Sequence, residues 1–159
     1  MTVSEFMQAN GLKRRATVIK WLESGWVPGA VKSGDEWDIP RLARPPYSRA
    51  RAKTASAVYV SIIEACNERR GVCAGLYRMP EEEFDSYIAC LEKEGLIAVR
   101  EEAGVKYYYS TPDSMKYVDD RKGLEKLIKK LSPIILPLVQ TVVTAAAQGA
   151  VTAAVGNQG

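Results

Sequence analysis

Apolar positions along the chain follow two periods, one helical and one extended. Thr2-Val3-Ser4-Glu5 has the T-x-x-E spacing of a capping box, so a helix is predicted to start at Val3, with Phe6 and Met7 on its apolar side. Asn10-Gly11 ends it, because both residues tolerate positive φ. A second helix is predicted over 14–24, with Val18, Trp21 and Leu22 at i, i+3 and i+4 as its inner face and Gly25 as its stop. Trp26–Lys32 and Glu36–Pro40 flank Ser33-Gly34-Asp35 and read as a hairpin. Helix, short turn, helix, hairpin is the order of a winged helix-turn-helix.

The pattern then repeats more loosely. Ala55, Val58, Tyr59, Ile62 and Cys66 predict a helix over about 52–69, closed by Gly71, and 72–78 reads as one helical turn or two. Pro80 suits the first turn of another helix, with Glu81, Glu82 and Glu83 complementing its dipole. Phe84, Tyr87, Ile88 and Leu91 form its inner face and Gly95 ends it. The runs 96–100 and 105–109 flank Glu101–Gly104 as a second hairpin. Alternation places Tyr107 and Tyr109 on one face, where hairpin core packing is the expected role. Leu124, Leu127, Ile128 and Leu131 make an apolar stripe on a Lys-rich helix. Beyond it runs an Ala/Val/Thr stretch in which Gln140, Thr144, Gln148 and Thr152 recur every four residues.

The expected fold class is therefore mainly α with small β-hairpins: two tandem winged helix-turn-helix units and a C-terminal helical tail. The expected division is 1–44 for the first unit, 45–53 for a basic Pro-containing linker, 54–112 for the second unit, and 119–159 for the tail.

Charge separates these regions. Residues 1–53 hold ten basic and five acidic side chains, 54–110 hold six and ten, and 111–159 hold six and four. No charge occurs from Leu131 to Gly159. The chain of 159 residues, 47% apolar and 26% charged, has the composition of a folded protein. It contains no histidine, which removes His-based catalysis, His-ligated zinc and His proton shuttling. Cys66, Cys73 and Cys90 form no C-x-x-C pair, and three thiolates are too few for an all-Cys zinc site. They read as small buried hydrophobes in a reducing, cytoplasmic setting. No cofactor is expected, and no enzyme. The acids that open the third helix of the second unit are ordinary helix chemistry, with no phosphate loop or partner base nearby.

The run Thr17-Val18-x-x-Trp21-x-x-x-Gly25-x-x-Pro28-Gly29-Ala30, closed by Trp37-x-Ile39-Pro40, resembles the excisionase and MerR-like winged-helix DNA-binding domains. The resemblance covers about residues 2–46, and the segment Lys13–Ala16 is one residue longer than is usual there. It implies sequence-specific binding of double-stranded DNA, in transcription control or as a recombination accessory factor of a phage or mobile element.

The residues support DNA separately. With 18/21/22 buried, Arg14, Arg15, Thr17 and Lys20 point outward at the start of the second helix, where such proteins read the major groove. Lys13 precedes them, and Lys32 at the hairpin tip is expected to reach a phosphate. Arg44, Arg49 and Arg51, on an arm stiffened by Pro45-Pro46, are expected to follow the backbone. The bland alternatives are a solvated basic face and a solvated linker. Trp21 and Trp37 are assigned to the core between helix and wing, with Trp26 partly exposed.

The second unit, with Glu81, Glu82, Glu83, Asp85, Glu92 and Glu94 against Lys93 on one helix, is expected to bind protein rather than phosphate. For the tail, self-association through Ile135, Leu138, Val142, Val143, Ala146 and Ala150 is favoured. A membrane span over 131–155, held by Lys126–Lys130, is the second choice and would anchor an adaptor at the membrane instead of leaving it cytoplasmic and nucleoid-associated. A partner-binding or frayed tail is the third.

Overall fold

The computed structural model describes residues 1–47, 54–117, 120, 122–127 and 129. Its elements in chain order are α1 (Val3–Ala9), α2 (Arg15–Glu23), β1 (Val31–Ser33), β2 (Glu36–Asp38), α3 (Ala55–Asn67), α4 (Ala74–Tyr77), α5 (Glu81–Lys93), β3 (Ile97–Glu102), β4 (Val105–Ser110) and α6 (Pro112–Met115). The described residues thus combine helices with two separate two-stranded antiparallel sheets, β1–β2 and β3–β4.

Local signals account for the element ends. The Thr2–Glu5 capping box forms in full: Glu5 N donates to Thr2 Oγ1, and Thr2 N donates to Glu5 Oε2 at 2.7 Å. Those bonds hold the Glu5 carboxyl below its usual pKa. Gly25 closes α2 at φ 68. Gly34 at φ 62 is the first central residue of the β1–β2 turn, where a type II′ turn needs glycine. The turn itself is Gly34-Asp35, so Lys32 lies on β1 opposite Trp37 and not at the tip. Ala103 and Gly104 both have positive φ, 52 and 76, and make a type I′ turn between β3 and β4. Two predicted boundaries move inward. Thr54 caps α3, which begins at Ala55 and not near 52 because the Thr54 side chain accepts from Ala57 N. Pro80 is the N-cap of α5 and not part of its first turn.

Two apolar clusters form. The first joins Val3, Phe6, Val18, Leu22, Val27, Ile39 and Ala43, with Trp21 and Trp37 half-buried against it. The second is larger. It is built on Ile62, Ile63 and Cys66 of α3, Phe84, Ile88 and Leu91 of α5, and Ile97 of β3. Leu124 is buried in it and Leu127 packs on its edge, so part of the Lys-rich stripe covers this core. Among the three consecutive tyrosines both faces of β4 are packed. Tyr107 is buried, as expected, and Tyr109 beside it is half-buried beneath Arg44, while Tyr108 on the other face packs on the second core, its ring edge-on to Phe84 at 6.0 Å. Alternation is kept, and the face that meets the second core is that of Tyr108.

The two clusters are joined by a built junction. Pro45, Pro46 and Tyr47 are buried, or nearly so, and Tyr47 belongs to the second core. Tyr47 N donates to Gly71 O, and Gly71 N donates to Pro45 O, both at 2.9 Å, as a short parallel bridge. The Tyr47 hydroxyl donates to Glu64 Oε2 at 2.8 Å. The extended segment is therefore docked rather than solvated as far as Tyr47; Arg49 and Arg51 lie outside the described residues. So do Ile135, Leu138, Val142, Val143, Ala146 and Ala150 of the tail. Among the described residues, no helix is long and apolar enough to cross a membrane.

Gly29 marks another contact across the junction. A methyl group placed on it would lie 2.5 Å from Val105 Cγ2 and 2.9 Å from Pro40 Cγ, and its φ is +76. Gly29→Ala is expected to destabilise the protein by about 2 kcal/mol or more, adding left-handed strain to overlap. Urea denaturation checks this. Val105→Ala in the same background should recover the part of the loss that comes from Val105, but not the strain or the overlap with Pro40. A Gly29→Ala loss of the same size with and without Val105→Ala would show that Gly29 and Val105 do not meet.

Candidate nucleic-acid interface

The first unit presents one long exposed helix edge. Val18 and Leu22 turn α2 inward, at 0% and 3% exposure, which leaves Arg15, Ala16, Thr17 and Lys20 in solvent. Arg14 is the N-cap, with extended backbone at φ −110 and ψ 100, and Lys13 precedes it; both are exposed. An arginine cannot accept a hydrogen bond, so no side chain caps this helix, and no acid lies in its first turn. The positive end of the helix dipole and the charges of Lys13, Arg14 and Arg15 therefore add. Arg15 Nη1 donates a long bond, 3.4 Å, to Ser4 Oγ and is otherwise open to solvent.

The hairpin stands beside this edge. An open groove of about 390 Å³ runs between them, walled by Arg15, Ile19 and Glu23 of α2 and by Lys32, Glu36 and Trp37 of the hairpin. Arg15, Ile19 and Glu23 are one stripe at i, i+4 and i+8. Ala16 and Lys20 lie on the crest beyond it, and Thr17 lies on the far flank. The structure thus brings Arg15 and Lys32 to one groove, while Lys13, Arg14, Thr17 and Lys20 sit around the amino end and crest of α2.

The groove is not uniformly basic. Glu23, Asp35 and Glu36 share its walls with Arg15 and Lys32. The exposed acids of the turn stand next to Lys32 and weaken any pull it exerts on a phosphate. Asp35 and Glu36 follow Lys32 within four residues of sequence; the register pairs Glu36 with Ser33 and Lys32 with Trp37, and it is the groove lining that brings the three together.

Arg44 has a different place from its basic neighbours. It is half-buried at the junction, its guanidinium carbon 4.4 Å from the Tyr109 ring centroid, and Nη1 donates to Tyr108 O at 3.5 Å. It packs on β4, away from α2.

The second unit offers a contrasting surface. Glu81, Glu82, Glu92 and Glu94 are exposed on or next to α5. Asp85 is drawn to β4, where Lys106 Nζ donates to both of its carboxylate oxygens at 3.0 and 3.2 Å. The thiols are not poised for chemistry. Burial pushes Cys66 up to about 12, and it raises Cys73 and Cys90 as well, so all three are protonated near neutral pH.

Comparison of the chain with family models, curated proteins and solved structures finds no match. Function is therefore read from the geometry of α1, α2 and the β1–β2 hairpin.

Proposed function

We propose that this chain is a non-enzymatic DNA-binding protein whose first unit works as a winged helix-turn-helix, with α2 as the reading helix. One observation carries the reading: the amino end of α2 is exposed, uncapped, without an acid in its first turn and flanked by Lys13, Arg14 and Arg15, with Lys20 further along the same exposed side in the last turn. A helix end of that kind is an anion site, and its first turn is the part that enters a major groove. Arg14 and Arg15 are assigned to guanine edges or flanking phosphates, Thr17 and Lys20 to the groove wall. Lys32 is the weaker backbone contact, because Asp35 and Glu36 stand beside it.

On this reading the second unit, α3 to β4, is a second winged-helix fold that does not use its third helix on DNA. The exposed acids of α5 repel a phosphate backbone, and a basic protein partner suits them. The resemblance over residues 2–46 favours a transcription regulator or an accessory factor of a mobile element, acting in the cytoplasm on the nucleoid.

Selection of bound fragments from a random duplex library tests the reading. An enriched motif is expected; recovery of unselected sequence, or none at low salt, overturns it. The tail is assigned to self-association, which would pair two readers on half-sites. Deleting 132–159 should lower the sedimentation mass to that of a smaller species and narrow the selected motif to one half-site. An unchanged mass assigns assembly elsewhere. Membrane tethering of an adaptor is the competing reading for the tail. Recovery of the full chain in salt-washed membranes would favour it.

A further inference from the structure

Thr17 is the one serine or threonine in the 159-residue sequence that has arginine at both the third and the second position before it, Arg14 and Arg15. Paired arginines at that spacing are what the acidic groove of a basophilic serine/threonine kinase selects, since each can give a carboxylate two parallel hydrogen bonds. The fold leaves this hydroxyl open. Thr17 is exposed, and among the described residues nothing bonds its side chain. The three residues that precede α2, Leu12, Lys13 and Arg14, lie outside helix and strand, and the Arg14 backbone is extended.

The turn that carries Thr17 is lightly held. α2 has no side-chain cap. The two backbone bonds that close its first turn, from Thr17 N and Val18 N to Arg14 O, are 3.2 and 3.4 Å long, against about 2.9–3.0 Å for an ordinary one. Unwinding this turn exposes no apolar side chain ahead of Val18, because Arg15, Ala16 and Thr17 are already in solvent. A phosphate on Thr17 would add a charge of about −1.5 to −2 near neutral pH. The fold does not oppose it: the first turn holds no acid, and the helix dipole favours one there. A duplex at this end does oppose it. Lys13, Arg14 and Arg15 would fall from three positive charges to a local sum of about +1, with the new charge turned toward a phosphate backbone.

We propose that Thr17 is a phosphorylation site for a basophilic serine/threonine kinase, and that its phosphorylation switches off duplex binding by α2. In the transfer the Thr17 hydroxyl oxygen bonds to the γ-phosphorus of Mg-ATP, and the bond from that phosphorus to the β–γ bridging oxygen breaks. ADP leaves, and the hydroxyl proton passes to the catalytic carboxylate of the kinase. The switch rests on the DNA reading above; the assignment of Thr17 as acceptor does not.

The test treats the folded full chain with Mg-ATP and a kinase that selects arginine at those two positions, and locates the phosphate by mass spectrometry. Incorporation at position 17 is expected in the parent and in Thr17→Ser, and its loss in Thr17→Ala. No phosphate on Thr17, or phosphate there only when the chain is first unfolded, overturns the assignment. The phosphorylated chain should melt no lower than the parent, and up to about 4 °C higher. It should bind a duplex at least about tenfold more weakly, with the slope of log affinity against log salt lower by about 1–2. A lower melting temperature, or unchanged binding and slope, overturns the switch, because the phosphate would then be damaging α2 or facing no duplex. If the unmodified parent binds no duplex, the reading of α2 fails and takes the switch with it, while incorporation at Thr17 still decides the acceptor.

Discussion

Phe84→Ala is expected to cost about 3–5 kcal/mol, a large part of the roughly 5–15 kcal/mol that holds an ordinary domain together. Phe84 is 1% exposed and is the ring at which three elements meet. It stacks on Tyr77 of α4, with centroids 5.7 Å apart, and takes the ring of Tyr108 from β4 edge-on at 6.0 Å. Alanine would remove both ring pairings and leave a cavity that α5 cannot close without pulling Ile88 and Leu91 out of the same core. The placement of the tryptophans makes the measurement informative. Trp21, Trp26 and Trp37 all lie in the first unit, far in sequence from Phe84. Trp21 and Trp37 pack on the first cluster, whereas Trp26 faces Gly75 of α4. In a Trp26→Phe background, tryptophan emission therefore reports on the first unit, and far-ultraviolet circular dichroism reports on both. The Pro45–Tyr47 segment is bonded to Gly71 on both sides, and Gly29 sits against Val105, so the two units should unfold together. The expected result is one transition at lower urea, seen alike by both probes. A tryptophan midpoint that stays with the parent while the dichroism midpoint falls would show that the junction does not couple the units.

Much of this architecture is legible in local signals. Thr2-x-x-Glu5 and Gly25 bracket α1 and α2 because capping and positive φ are properties of one or two residues. The period of Phe84, Tyr87, Ile88 and Leu91 yields the buried face of α5, because a helix exposes its own repeat. The same periodicity turns Arg14, Arg15, Thr17 and Lys20 outward from sequence alone. What stays hidden depends on partners distant along the chain. Alternation separates Tyr108 from Tyr107 and Tyr109 but does not say which side meets Phe84, far back on α5. Pro45-Pro46-Tyr47 has the composition of a spacer, and its docking is a backbone match with Gly71 that no side-chain pattern encodes.

Replacing Arg14 and Arg15 together by alanine is expected to weaken duplex binding by about 2–4 kcal/mol, roughly thirty- to a thousand-fold. The slope of log affinity against log salt should fall by up to about 2, one for each phosphate no longer neutralised, and by less where a side chain reads a base instead. Neither change should reach the fold. Both residues are exposed, α2 draws no side-chain cap from Arg14, and the Arg15–Ser4 bond is long and solvated. Stability should therefore stay within about 0.5 kcal/mol of the parent, which a thermal melt confirms before any binding is read. The single variants then separate the roles. A residue on a base edge changes the ranking of sequences in the selected motif, whereas one on a phosphate weakens all of them equally. Arg15 shares its groove with Glu23 and lies one turn before Ile19, so it is the one expected to alter the motif; Arg14, at the amino end, is expected to lower affinity uniformly. A double variant that binds as tightly as the parent, with the same salt slope, would mean that the amino end of α2 faces no duplex, whatever else on this surface does.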